Sequence, residues 1–330
     1  MNPDISIIVC TLNEELHIEE NLNSILNQDY DGKFKIFVVD GGSTDNTINI
    51  VNKFIEKHSN ISIINNEKVI QSAGRNRAIE QIDTELFAYI DAHYVANRIW
   101  LRELVFNYKY FKDRGNNIAG IGTFWIPADT NEMSLSYYYA ITSKLLGAGP
   151  DHLLNSKKIK ETDHALMMLY NTKIIKSLGM YNENLPVGED LDLNTRLIKN
   201  GYKIYQSDQA LVAYYPRESF SKIATQQFRY GYWRQAVSDS NNSFSFNSLI
   251  PGIFVALLAL GFVLSFIYPP FVILYFTLLI IYLFTVLVYG AMVGLKKSTN
   301  PIFVAVIIYL VQLSYGAGSI YYFIKKPKIK

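Results

Sequence analysis

Asp91 and His93 stand two positions apart, just past a short apolar run, Phe87-Ala88-Tyr89-Ile90. A carboxylate and an imidazole so placed can ligate one divalent ion. A run this short and continuous suits a buried parallel strand. In open α/β sheets the carboxyl ends of such strands face the ligand crevice. The chemistry these residues suggest is a metal site that holds a diphosphate. The plainer reading is an aspartate capping the next turn, with a surface histidine beside it.

A second acidic centre follows Gly188, where Glu189 and Asp190 open a helix-like stretch. The positive end of a helix favours a carboxylate there, so capping alone accounts for the pair. The chemical reading is a general base that takes the proton of a sugar hydroxyl. Attack in one step would invert the anomeric centre, and a metal and an arginine would neutralise the leaving diphosphate. Asp40 ends another apolar run and leads into Gly41-Gly42-Ser43-Thr44-Asp45. Asp40 and Glu14 offer acceptors to a base and ribose, and Arg75 offers positive charge to the diphosphate. Arg77 reads as part of a solvated helix face. The site is a nucleotide-diphosphate site without a phosphate-binding loop or Gly-x-Gly-x-x-Gly fingerprint. Arg229, within Gln226-Gln227-Phe228-Arg229-Tyr230, could close over the diphosphate or anchor the chain at a membrane surface.

The elements that must position these residues follow from periodicity. Apolar runs at 5–10, 34–39, 61–64 and 87–90 read as strands, and 16–27, 46 onward and 71–82 as intervening helices. This alternation predicts a parallel sheet covered on both faces. A helix is expected over 98–114, a strand over 118–125 and a tyrosine-rich helix over 131–146. A loop over 147–163 could cover the site. Beyond it come a strand at 166–170, helices at 172–178 and 189–200, and strands at 202–206 and 210–215. An amphipathic helix over 219–237 carries aromatic and basic residues suited to a membrane–water boundary.

Net charge is +2, which gives no argument for nucleic-acid binding, and none is expected. The one cysteine, Cys10, suits a reducing compartment. No signal peptide is read at the N-terminus. Residues 249–268, 271–295 and 302–324 are each about the 20 residues needed to cross a bilayer. Arg217, Lys222, Arg229 and Arg234 precede the first run, and Lys296 and Lys297 follow the second. By the bias of basic residues both places are cytoplasmic. Three full spans would then put the basic tail Lys325, Lys326, Lys328 and Lys330 outside, against the same rule. A re-entrant or interfacial segment would remove the conflict. The expected organisation is a catalytic domain at 1–215, an interfacial helix and linker at 216–248, and a membrane domain of about three helices at 249–330.

Taken together, Ile-Ile-Val-Cys-Thr-Leu-Asn-Glu-Glu, Val-Val-Asp-Gly-Gly-Ser-Thr-Asp, Gly-Arg-Asn-Arg-Ala-Ile, Asp-Ala-His and Gly-Glu-Asp resemble a family 2 glycosyltransferase with the GT-A fold, over residues 4–235. Asp-Ala-His with Tyr-Tyr-Pro-Arg-Glu-Ser and Arg-Tyr-Gly-Tyr-Trp is similar to the succinoglycan-biosynthesis glucosyltransferase branch. The resemblance implies that Thr11, Asn13, Glu14 and Asp40 bind the nucleoside and that Arg75 lies near the diphosphate. Asp91 and His93 take the Asp-x-Asp position that holds Mg²⁺ or Mn²⁺. Asp190 matches the catalytic base, with Glu189 beside it. Gln226 and Arg229 match a Gln-x-x-Arg-Trp element, with Tyr230 where tryptophan is usual.

The expected protein is an α/β, GT-A enzyme of the inner membrane, with its catalytic domain facing the cytoplasm. It is expected to be inverting and metal-dependent. It would move a hexose from a UDP-sugar to a polyprenyl-diphosphate-linked saccharide in cell-surface polysaccharide synthesis. Transfer to polyprenyl phosphate itself is an open alternative, and a sugar nucleotidyltransferase is one from another class.

Overall fold

The computed structural model describes residues 2–146, 159–217, 219–243 and 246–327. The chain divides into two compact units. One comprises Met1–Ala128 with Leu154–Tyr215, the other Asp129–Leu153 with Pro216–Lys330. The tyrosine-rich segment thus groups with the apolar C-terminal helices.

The first unit opens with β1 (Ile5–Thr11), α1 (Ile18–Leu26), β2 (Phe34–Asp40), α2 (Thr47–Lys57), β3 (Ile61–Asn65), α3 (Gln71–Gln81) and β4 (Leu86–Tyr89). Then come β5 (Tyr94–Ala96), α4 (Trp100–Asp113) and β6 (Ile118–Pro127). Next in the chain is α5 (Glu132–Ile141), which belongs to the second unit. The first unit resumes with β7 (Ile159–Glu161), β8 (Leu166–Asn171), α6 (Thr172–Ser177), α7 (Glu189–Lys199) and β9 (Lys203–Tyr214). The strands form one sheet in the order β3-β2-β1-β4-β8-β6-β9-β5, and β7 pairs with β9. β1 through β4 are parallel, as their alternation with helices requires. β1 and β4 are buried on both faces and largely apolar, and Ile5, Ile7, Ile8, Val9 and Ile36 are fully buried.

Beyond β4 the sheet turns mixed, because β8 joins β4 antiparallel. The two strands expected at 202–206 and 210–215 are one strand, β9. Its register against β6 jumps from Thr123 opposite Ser207 to Phe124 opposite Leu211. The polar residues that suggested a break are a bulge in one long strand. β5 has no counterpart among the expected strands. Of the loop expected over 147–163, residues 147–158 lie outside the described residues, and Ile159–Glu161 forms β7.

In the second unit, α5 is capped by Asn131, whose side chain accepts from the Ser134 amide at 2.8 Å. It is shorter than expected, with a one-turn 3₁₀ segment at Lys144–Leu146. α8 (Phe220–Ser240) is capped by Ser219 and followed by α9 (Phe246–Ile267), α10 (Pro269–Lys297) and α11 (Pro301–Ile324). The last three are long and apolar enough to cross a membrane. They meet through small residues. Gly316 sits on the Pro251 carbonyl, Gly290 on Ala305 and Gly294 on Pro301, while Gly231 of α8 sits on the Tyr315 backbone.

Candidate active site

The loops after β1 and β2 are laced together. Asn13 takes a left-handed conformation (φ 54°), which asparagine tolerates better than most residues. Its amide donates to the Ser43 hydroxyl at 2.9 Å, and its side-chain oxygen accepts from the Thr44 amide at 2.8 Å. The Glu14 amide donates to the Thr47 hydroxyl at 2.8 Å. Thr11, the last residue of β1, pairs with Asp40, and its buried hydroxyl has no partner among the described residues. The Asp40 carboxylate accepts from the Gly42 and Ser43 amides and from the Ser43 hydroxyl at 2.6 Å. Asp40 thus shapes its own turn, with most of its acceptor capacity in use.

Asp91 leaves the end of β4 in a turn that buried Asn21 holds. The Asn21 side chain donates to the carbonyls of Asp91 at 3.1 Å and Tyr94 at 2.7 Å. Asp91 Oδ1 accepts from Gln71 and, at 2.9 Å, from Arg75. Among the described residues its Oδ2 takes no hydrogen bond. His93 Nδ1 lies 2.9 Å from Glu14 Oε1. A carboxylate only accepts, so Nδ1 is the donor, and in the neutral ring Nε2 then carries the lone pair. Metal-binding histidines are commonly oriented this way, by a carboxylate on the other ring nitrogen. The donor set therefore fits a divalent ion: one free carboxylate oxygen and one imidazole lone pair on a single turn. No group of three or more His, Cys, Asp and Glu suited to a metal occurs among the described residues. Oxygens of a bound ligand would have to complete the shell.

Arg75, on α3, is only 2% exposed. It donates to Asp91 and, at 2.8 Å, to Glu189 Oε1. Its guanidinium lies 4.0 Å from the Tyr89 ring centroid and 5.3 Å from that of Tyr181. Burial opposes its charge, but Asp91 and Glu189 outweigh that and hold it protonated. The charge expected near a diphosphate is spent on two carboxylates. Arg77, by contrast, reaches the Asn65 carbonyl at the surface.

Glu189 opens α7 after Gly188, which sits at φ 82°, a conformation that favours glycine. Burial pushes the Glu189 carboxyl up to about 7, with Arg75 pulling the other way and Asp190 adding to the rise. Asp190 is half-buried. Its Oδ1 accepts from the Leu191 amide at 2.7 Å, and its Oδ2 has no partner among the described residues. The structure thus links the two acidic centres through Arg75, and Glu14 joins the β1 loop to His93. Gln71, Tyr89 and Tyr181 take part without having been singled out from sequence. Tyr89 and Gln71 precede Asp91 by two and twenty positions, with nothing in their spacing to mark them.

Gln226 and Arg229 lie on α8, in the second unit. Tyr137 of α5 donates to Gln226 at 3.4 Å and accepts from Gln227 at 3.3 Å. Gln226 in turn donates to the Tyr230 hydroxyl at 3.2 Å. Arg229 is exposed and has no ion pair among the described residues.

The parallel β1–β4 core with an acid after β4 and another at the α7 start defines a GT-A nucleotide-sugar fold. Residues 6–179 match Glycosyl transferase family 2, and the chain belongs to that family. It is a glycosyltransferase, which sets aside the nucleotidyltransferase alternative. It is 31% identical over 231 residues to a dolichyl N-acetyl-alpha-D-glucosaminyl phosphate 3-beta-D-2,3-diacetamido-2,3-dideoxy-beta-D-glucuronosyltransferase of Methanococcus voltae, covering 69% of this chain and 71% of that one. It is 28% identical over 229 residues to a succinoglycan biosynthesis protein of Rhizobium meliloti, covering 68% and 67%. A mannosyltransferase of Pyrobaculum calidifontis, solved with GDP-Man and Mn²⁺, shares the fold at 17% identity with a TM-score of 0.58, covering 96% of this chain and 87% of that one.

Proposed function

We propose that this glycosyltransferase is inverting and metal-dependent. It moves a hexose from a UDP-sugar to a polyprenyl-diphosphate-linked saccharide at the cytoplasmic face of the inner membrane. The observation that carries the reading is the Asp91–Arg75–Glu189 bridge, which ties the donor-side acid to the helix start bearing Asp190. In this reading Thr11, Asn13, Glu14 and Asp40 form the nucleoside side. Asp91 Oδ2 and His93 Nε2 would hold Mg²⁺ or Mn²⁺. When bound, that ion neutralises charge on the leaving diphosphate. Asp190 Oδ2 is free to accept the proton of the attacking hydroxyl. Glu189 and Arg75 fix the start of α7, so Asp190 is positioned rather than mobile. The lipid acceptor is supported by the apolar helices and by the Methanococcus voltae relative, whose name carries a dolichyl phosphate saccharide.

The test is a donor screen in membranes carrying the full chain, reading released UDP or GDP with and without Mn²⁺. UDP release that needs both metal and a lipid-linked saccharide supports the reading. Release that is unchanged by a chelator, or that follows polyprenyl phosphate alone, contradicts it.

A further inference from the structure

The long apolar helices of the second unit do not pack alike. α9 and α10 run antiparallel as a hairpin. The rings of Phe254 and Tyr282 lie 5.0 Å apart, the Tyr275 hydroxyl donates to the Leu258 carbonyl at 3.2 Å, and Gly261 faces the Tyr275 ring. Each step forward on α9 is matched by a step back on α10. α11 behaves differently. It starts beside the far end of α10, with Pro301 on Gly294 and Ala305 on Gly290. It then moves inward, where Tyr309 donates to the Leu283 carbonyl and Tyr282 donates to Gln312 at 2.7 Å.

From there it goes no deeper. Gly316 lies on Pro251 and Val255, and Gly252 on Ser319, all near the start of α9. Among the described residues, the hydrogen bonds, ring contacts and glycine contacts of α11 stop at Val255 and Tyr282. At about 1.5 Å per residue, residues 256–267 and 269–281 make roughly 18–20 Å of hairpin beyond its reach. A helix of 24 residues is long enough to run the full depth. α11 runs across the hairpin instead.

α8 accompanies α11 from end to end. Phe220 meets Phe303, Gly231 meets Tyr315, Phe228 meets Gly318, and Asp239 meets Tyr322 and Lys326. α8 carries Lys222, Arg229, Arg234 and Asp239, so it is no companion for a helix crossing hydrocarbon. The most apolar stretch of α11 is 39% buried within the protein, against 17% for α9 and 6% for α10.

We infer that α9 and α10 alone cross the bilayer, and that α8 and α11 lie together along its surface, at the end where α10 finishes. The partner is the headgroup layer of an acidic lipid surface, met by the exposed basic residues Lys222, Arg229, Lys296 and Lys325. The basic C-terminal tail then falls on the same side as Lys296 and Lys297, and the conflict in the basic-residue bias disappears.

The test uses the full chain in a Cys10→Ser background, with single cysteines at Glu56→Cys, Tyr268→Cys and Lys325→Cys. Each is probed with an impermeant maleimide in right-side-out and inverted vesicles. Glu56→Cys and Lys325→Cys should react from one side and Tyr268→Cys from the other. Reaction of Lys325→Cys from the Tyr268→Cys side overturns the inference. Fusion of alkaline phosphatase gives a second reading without substitutions. It should be silent after Lys330 and active after Tyr268, and the reverse pattern at Lys330 overturns the inference equally.

Discussion

The two units solve opposite packing problems. In the first, charge is taken out of water: Arg75, Asp91 and Glu189 sit with side chains 3%, 15% and 8% exposed, and the arginine pairs with both carboxylates. In the second, apolar surface is left outside, and glycines at several helix contacts let backbones approach. Chemistry on an activated sugar needs carboxylates in fixed positions, and a dry ion-pair network fixes them in a way solvated side chains cannot. A membrane anchor needs only shape, because lipid already takes the apolar side chains.

The contrast is broken most severely at Arg75. Arg75→Met leaves two buried carboxylates uncompensated and should cost about 3–5 kcal/mol. In a thermal melt with the full chain in detergent this reads as loss of the transition of the first unit, with the helical signal of the second retained. Arg75→Lys keeps the charge but not the fork and should fall between. The matching insult to the second unit is shape alone. Gly231→Val drives a side chain into the Tyr315 backbone and should cost about 1–3 kcal/mol or more. Its melt should shift while UDP binding by the first unit stays near normal.

A smaller effect sharpens the account of the site. Glu14→Gln removes the carboxylate that orients His93, and Mn²⁺ affinity should fall on the order of 10- to 100-fold. Calorimetry with UDP present measures it, and an unchanged affinity would leave His93 outside the metal shell.

The network should also show in pH. The Glu189 carboxyl is raised from 4.5 to about 7 by burial. Between those values the folded state holds the extra proton, so the stability this group contributes falls as pH rises from about 4.5 to about 7. The slope is at most about 1.4 kcal/mol per pH unit. Glu189→Gln should flatten that window in denaturant melts. Activity should run the other way, because the Arg75–Glu189 ion pair forms only when Glu189 is ionised. Wild-type turnover should therefore rise through pH 7.

Much of this was legible in residue order. Short apolar runs gave β1 to β4, Asp40 and Asp91 at the ends of two of them marked the expected crevice, and hydropathy gave α9 to α11. What was not legible depends on tertiary contact. A buried arginine between two acids looks the same in sequence as one awaiting a phosphate, and the Asp91 and Glu189 partners lie 16 and 114 positions away. The grouping of α5 with the C-terminal helices rests on Ser136 meeting Thr299 and Glu132 meeting Asn300, pairs no local pattern announces. The slant of α11 is likewise set by where glycines let neighbours approach, not by its own hydropathy.

The central claim is that Asp190 removes the acceptor proton while Asp91 and His93 serve the donor. Its most direct test is Asp190→Asn, assayed for transfer to a lipid-linked saccharide alongside UDP affinity in Mn²⁺. Turnover should drop on the order of 10²- to 10⁴-fold with UDP binding unchanged. Near-normal turnover would contradict the claim and point to an acceptor that is already anionic, such as polyprenyl phosphate.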